Sequence, residues 1–178
     1  IAMTTAPTDL STWAADSSSL NYRLEGSVDP TGEIGDVVVN SLGIFLSMNS
    51  TRTVTIGDGN TLTIDSGLLA RQRTGSVRPL TIAGGSLTSG TDELYILTGN
   101  SGFSGMTVTS AITGTGMDLI TMGNSSLTLG ADDNTPNTFT GTTYVNGGTL
   151  TLNKNNNVLA VGGDIVIGPN ATLRLGEN

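Results

Sequence analysis

The sequence predicts an all-β chain wound as a parallel solenoid, and three observations carry that prediction. Short triplets of aliphatic, threonine, aliphatic recur along the chain, as in Val54-Thr55-Ile56, Leu62-Thr63-Ile64 and Leu127-Thr128-Leu129, so alternate side chains share one face. Glycine and asparagine sit between successive triplets, where a strand must turn a corner. The joined pairs recur at a spacing of about one solenoid coil, and each half is too brief to stand alone as a hairpin.

The clearest copy is Asn137-Thr138-Phe139-Thr140-Gly141-Thr142-Thr143-Tyr144-Val145-Asn146-Gly147-Gly148-Thr149-Leu150-Thr151-Leu152. It reads as strand, corner, strand. Leu150 and Leu152 take one face, with Thr149 and Thr151 on the other. With the leucine that opens the second half-strand as marker, the steps from Leu62 to Leu87, Leu127, Leu150 and Leu173 are 25, 40, 23 and 23 residues. The long step is expected to hold an additional coil, because Leu94-Tyr95-Ile96-Leu97, Met106-Thr107-Val108 and Ala111-Ile112 supply strands inside it.

At 178 residues the chain fits one domain. Only 12% of residues are charged against 36% hydrophobic, which favours a folded chain over an acidic disordered tail, and the 25 glycines follow no collagen period. A net charge of −8 with scattered basic residues excludes a phosphate-tracking stripe, so no nucleic-acid partner is expected. No apolar run approaches the ~18 residues of a membrane span. With no cysteine there is neither a disulfide scaffold nor a thiolate metal site. The chain opens at Ile1 without a charged-then-apolar leader, which suggests a processed form or a piece of something longer.

Taken in order, residues 1–35 are read as an irregular N-terminal cap or arm, broken by Pro7, Asp9, the run Ser17-Ser18-Ser19 and Asp29-Pro30. Leu20, Tyr22 and Leu24 alternate with polar neighbours and predict one strand there, and Trp13 is expected to plug one end of the core, with a sugar-stacking platform as the alternative. Residues 36–178 are read as the solenoid. Val37-Val38-Val39 and Leu42-Gly43-Ile44-Phe45-Leu46 are apolar runs whose length favours strand over helix. Five copies of the strand-corner-strand design follow: Val54 to Ile64, Leu80 to Leu87, Ile120 to Leu129, the Tyr144 to Leu152 copy, and Ile165 to Leu175.

Leu127-Thr128-Leu129, the Asn137-to-Gly141 segment, Thr142-Thr143-Tyr144-Val145, Asn146 through Leu152, and Ala171-Thr172-Leu173-Arg174-Leu175 together resemble the autotransporter-associated β-strand repeat of bacterial surface and secreted proteins. The resemblance is strong over residues 120–178 and looser over 54–119. It differs in replacing the family's usual Ser-Gly-Ala with Gly130-Ala131-Asp132-Asp133-Asn134-Thr135-Pro136, a longer loop. The resemblance implies a right-handed parallel β-helix, located extracellularly or at the bacterial outer surface, with a structural or adhesive role; it does not imply an enzyme, and none is expected.

The chemistry of the residues points the same way. Without histidine or cysteine, Ser-His-Asp, Cys-His and His-metal arrangements are unavailable, and no catalytic, cofactor-binding or metal residue is assigned. Asp132-Asp133 beside Asn134 offers oxygen ligands for Ca²⁺ but lacks a full ligand spacing, and reads as a solvated turn; Gly57-Asp58-Gly59-Asn60 likewise reads as a corner. A polysaccharide-acting enzyme is the alternative activity, drawing on Asp65, Asp92, Asp118 and Asp164, with Arg71, Arg73 and Arg78 as the local basic group that would meet an acidic sugar. The Asn-X-Ser/Thr triplets at Asn49, Asn124 and Asn170 are expected by accident in a Ser/Thr/Asn-rich chain, and Asn146-Gly147 is a deamidation-prone turn.

The stretch Leu173-Arg174-Leu175-Gly176-Glu177-Asn178 carries no helix, proline block or charged cap, so the last coil is expected to present unpaired backbone and an open apolar interior. The partner that covers it is expected to be further coils of a longer chain or another copy stacked head to tail, giving a filament. Glycans are a possible partner for the threonine-rich sheet. The expected function is therefore an extracellular structural β-solenoid, with a glycan-binding adhesin fragment as the alternative.

Overall fold

The computed structural model describes residues 2–46, 51–72, 79–99 and 105–176. In chain order the strands are β1 (Thr4–Thr5), β2 (Asp16–Gly26), β3 (Val37–Leu46), β4 (Arg52–Thr55), β5 (Thr61–Arg71), β6 (Leu80–Ala83), β7 (Ser86–Ser89) and β8 (Glu93–Leu97). They continue as β9 (Met106–Val108), β10 (Ala111–Ile112), β11 (Asp118–Met122), β12 (Ser126–Asp133), β13 (Thr143–Val145), β14 (Gly148–Lys154), β15 (Ile165–Ile167) and β16 (Ala171–Leu175). Every pairing between them is parallel. The chain is thus an all-β parallel β-helix with an irregular N-terminal region.

One sheet runs β1-β2-β3-β5-β8-β11-β13-β15, with β7 and β10 attached through β5, and the other runs β4-β6-β9-β12-β14-β16. The long strand β5 explains the attachment. Its first part pairs with β7 and its second with β8, so one bent strand in an early coil becomes two strands in the next. Early coils therefore show three faces, which we call first, second and third in chain order: Val37, Leu62, Leu87 and Ile112 mark the first, β8 and its neighbours the second, and β4 through β16 the third.

Inward side chains of successive coils stack in columns. On the first face Val37, Leu62, Leu87 and Ile112 are register partners, each 25 residues from the last. On the second face the column is Leu42, Leu69, Ile96, Thr121, Val145, Ile167. On the third it is Arg52, Leu80, Met106, Leu127, Leu150, Leu173, with Val54, Ile82, Val108, Leu129, Leu152 and Leu175 beside it. Most of the aliphatic members between the ends are fully buried in one continuous core. Each such side chain contributes on the order of 1.5–3 kcal/mol through the apolar surface it removes from water.

These columns correct the marker used on the sequence. Leu62 and Leu87 belong to the first face, whereas Leu127, Leu150 and Leu173 belong to the third. The 40-residue step joins two different columns. The expected additional coil does lie within it, running through β8, β9 and β10. The five strand-corner-strand copies likewise divide into two kinds. Those at 54–64 and 80–87 turn from the third face onto the first, and the other three turn from the second face onto the third. Both corners need a glycine at one point: Gly84 (φ +72°) and Gly148 (φ +64°) adopt the left-handed region, and a Cβ would collide with the carbonyl of Ile56 or Ser125.

The N-terminal region is drawn into the same stack. The strand expected at Leu20, Tyr22 and Leu24 is β2, paired with β3 across a register shift. Before it, β1 pairs with β2, Asp9 bridges to Thr31, and a 3-10 turn at Leu10–Thr12 is capped by the Asp9 carboxylate accepting from the Ser11 amide. This first irregular turn buries Ala6, Leu10 and Trp13. Trp13 meets Tyr22 edge-on with ring centroids 5.0 Å apart, and its indole N–H donates to the Pro7 carbonyl at 2.9 Å. At 6% exposure it is the plug and offers no stacking platform.

The interior also holds hydroxyls that make no hydrogen bond, among them Thr121 Oγ1 in the middle of the second-face column. Thr121→Val keeps the branched shape and removes an unsatisfied polar atom, so it is expected to stabilise the protein by on the order of 1 kcal/mol in urea unfolding followed by circular dichroism. Leu129→Ala, which opens a cavity between two coils, is expected to cost about 2–5 kcal/mol in the same measurement.

Candidate interaction surfaces

The sequence candidates fall at structural positions. Asp133 closes its own loop, with Oδ2 accepting from the Ala131 amide at 3.0 Å and Oδ1 from the Thr135 amide at 2.9 Å. The same Oδ1 lies 2.9 Å from the ammonium of Lys154 on the next coil. Gly57-Asp58-Gly59-Asn60 is a corner, with the Asn60 amide donating to the Gly57 carbonyl at 3.0 Å and Gly59 at φ +77°. Asn49, Arg73, Arg78 and the Asp132 side chain lie outside the described residues, while Asn124, Asn146 and Asn170 are exposed at corners.

The four scattered aspartates do not come together as a set. Asp118 Oδ1 accepts from the Thr142 amide at 2.7 Å, and the register sets Asp118 beside Glu93 on the outer surface. Among the described residues no group of three or more histidine, cysteine, aspartate or glutamate side chains is placed to hold a metal ion. Arg71, offered as part of a basic surface group, is buried instead, and its guanidinium donates to the Gly105 carbonyl. Burial holds its pKa below the ordinary arginine value.

Among the described residues three cations are buried in the stack: Arg52, Arg71 and Lys154. Arg52 opens the third-face column; it donates to the Ser27 carbonyl at 2.8 Å and pairs with Asp29. Sequence reading missed this role, although the signal is present. Arg52, Arg71 and Lys154 each stand two residues from an aliphatic of the same parity, Val54, Leu69 and Leu152, so alternation alone assigns them inward.

The Asn137-Thr138-Phe139 motif, part of the resemblance to the autotransporter-associated repeat, is a structural rung. Asn137 is 1% exposed and stands where a first-face strand would be. Its side-chain oxygen accepts from the Ile112 amide at 2.9 Å, and its side-chain nitrogen donates to the Ala160 carbonyl at 2.8 Å. One amide side chain thus continues the backbone ladder between three coils, and Phe139 is fully buried beneath it.

The outer surfaces of the second and third faces differ in chemistry. The third carries Thr53, Thr81, Thr107, Thr128, Thr151 and Arg174 in register, a row suited to water. The second carries Leu68, Tyr95, Ile120, Tyr144 and Val166 in register, with Ala70, Leu97 and Met122 in the adjoining row; Leu68 and Val166 are exposed, whereas Ile120 between the two tyrosines is buried. The Tyr95 hydroxyl donates to Glu93 Oε2 at 2.5 Å. That hydrogen bond, with smaller effects of desolvation and of the Glu93 charge, raises the Tyr95 pKa above the usual phenol value. Toward the N-terminal end the same surface is covered from within the chain: Met3 reaches across Gly43, and the Arg23 guanidinium lies 4.5 Å from the centre of the Phe45 ring.

The two ends differ as well. The N-terminal end is closed by the turn that buries Leu10 and Trp13. At the other, Ile167 is 48% exposed although Val145 directly behind it is fully buried, and Leu175 is 70% exposed. No family model, curated protein or solved structure matches the chain. What defines it is the β-solenoid architecture itself.

The Lys154 pair has a measurable asymmetry. Asp133→Ala withdraws the carboxylate that offsets a buried ammonium and is expected to cost about 3 kcal/mol or more in denaturant unfolding, whereas Lys154→Met, apolar and of similar length, is expected to be near neutral.

Proposed function

We propose that the chain is a structural section of an extended extracellular or cell-surface β-solenoid, lengthened through the rung formed by β15 and β16. The observation that carries this reading is the contrast between the ends. The first turn buries its own apolar groups, while the last rung leaves the inward Ile167 and Leu175 exposed, beside sheet edges at β15 and β16 that find no further strand among the described residues. An apolar rung with free backbone groups is a template for another strand, and a further coil covers both at once. That coil belongs either to the same polypeptide or to a second copy stacked end to end.

The resemblance to the autotransporter-associated repeat supports a location outside the cell, and Asn137 and Phe139 give its motif a purely architectural task in this chain. A regular stack with one continuous core suits a spacer or fibre element, because each added coil extends the length without altering the coils before it.

The reading is tested on the purified 178-residue chain by light scattering after size exclusion and by negative-stain imaging. Concentration-dependent end-to-end association is expected, and it should be lost in Ile167→Glu/Leu175→Glu, which places carboxylates on the open rung while leaving the buried columns behind it intact. A chain that stays monomeric at every concentration tested would refute the stacking of a second copy on the open rung.

A further inference from the structure

We infer that the outer surface of the third face is an ice-binding surface, one that holds water in the arrangement of a crystal plane of ice. The inference does not depend on how the open rung is covered, since it concerns outward side chains of the coils before it. It starts from one rank of register partners. Thr53, Thr81, Thr107, Thr128 and Thr151 take the same outward position on five successive rungs, β4 through β14, with no register shift between them. Among the described residues none of these five hydroxyls makes a hydrogen bond within the protein. On the first face, by contrast, the Thr88 hydroxyl already donates to the Thr113 carbonyl at 2.6 Å.

Spacing selects the occupant. Rungs repeat every ~4.8 Å, and side chains two apart on one strand lie ~6.8 Å from each other. Further hydroxyls stand at that second distance, with Thr55 beside Thr53, Ser126 beside Thr128 and Thr149 beside Thr151. The outcome is a two-dimensional net whose two repeats are close to those of the water oxygens on a prism face of hexagonal ice. Threonine suits such a net because its β-branched side chain is stiff at χ1, so methyl and hydroxyl keep one attitude from rung to rung. The methyl groups order the water over them, and the hydroxyls hydrogen-bond that water in place.

Charge and shape agree with that choice. The chain carries 7 basic and 15 acidic residues, yet none stands outward in this rank or in the two beside it between β4 and β14. A charged side chain would hold a hydration shell of its own, which fits no neutral lattice. Ala83, Gly105 and Gly130 in the flanking ranks leave the threonines standing clear. The same ranks contain no aromatic ring, so the face lacks an apolar platform on which a sugar would stack. Arg174 on β16 ends the threonine rank. Its length is on the order of 20 Å, and a longer solenoid with more threonine rungs would hold ice more firmly.

The test uses the purified 178-residue chain, with ice itself as the probe. Ice grown slowly into a dilute solution rejects ordinary solutes. The wild-type chain is expected to enter the ice several-fold more than a non-binding protein of similar size, and to open a gap between the melting and freezing points. Thr107→Lys/Thr128→Lys sets two ammonium groups in the middle of the rank and should reduce incorporation to that of the non-binding protein, with circular dichroism unchanged. Thr63→Lys/Thr113→Lys makes the same change of charge on the first face and should leave incorporation at the wild-type level. Ile167→Glu/Leu175→Glu should leave it there too, which separates this surface from the open rung. Exclusion of the wild-type chain from ice, or equal incorporation of the two lysine pairs, would overturn the inference. Retention on insoluble cellulose or chitin that Thr107→Lys/Thr128→Lys abolishes would overturn it as well, by giving the face to a glycan.

Discussion

The structure depends on one constraint: an inward side chain of one coil is buried only when the coils on either side place side chains against it. A coil of some two dozen residues closes no core by itself. Fixing its backbone costs about 1–2 kcal/mol per residue, while its few inward aliphatics recover that cost only as members of a column. Parallel pairing follows from this, since each coil must return to the same faces in the same direction for Leu69 to meet Ile96, or Leu127 to meet Leu150. The ladder of backbone hydrogen bonds fixes the height of each rung, and the columns fix its rotation.

The interior is therefore tightly prescribed and the exterior is not. An outward position on a parallel sheet is judged only by its neighbours on the same surface and by what it meets beyond them. The third face resolves this in favour of water, with threonine after threonine. The second resolves it differently on the same coils: the stacking that selects Leu94 on the inside has no hold over Tyr95 on the outside. Agreement between inner faces is what folding requires, and it leaves the outer faces free to differ.

Much of this was legible in the sequence. Alternation in Val54-Thr55-Ile56 and Leu150-Thr151-Leu152 gave both the strands and their inward faces, and the glycines gave the corners. What the pattern could not carry was the identity of a corner. A turn from third face to first and a turn from second to third are built from the same residues, because both join two short strands by a left-handed bend; only long-range register separates Leu87 from Leu127. Asn137 was visible as a motif, yet its work is done by a side-chain amide standing in for backbone, which no periodicity encodes. The strip from Leu68 to Val166 was hidden for a related reason. Its members lie one per coil, about 25 residues apart, and each looks locally like the polar side of a strand that tolerates an exception.

The buried cations show how such a stack keeps its order when its units are so alike. Columns of Leu, Ile and Val accept one another almost indifferently, so aliphatic packing alone penalises a coil shifted by one rung very little. A buried charge is indifferent to nothing. Arg52 is tolerated because the Ser27 carbonyl and the Asp29 carboxylate lie beside it, and Lys154 because Asp133 lies one coil away, at the place where β12 breaks register with β14. Shifted by one coil, either cation would lose those partners within the core and face a penalty of several kcal/mol. As stability alone, such pairs contribute little, since an apolar residue of similar size would fill the space as well. Their effect falls on the alternatives: they make the correct neighbour of each coil distinguishable from the next one along, which repeating aliphatics cannot do.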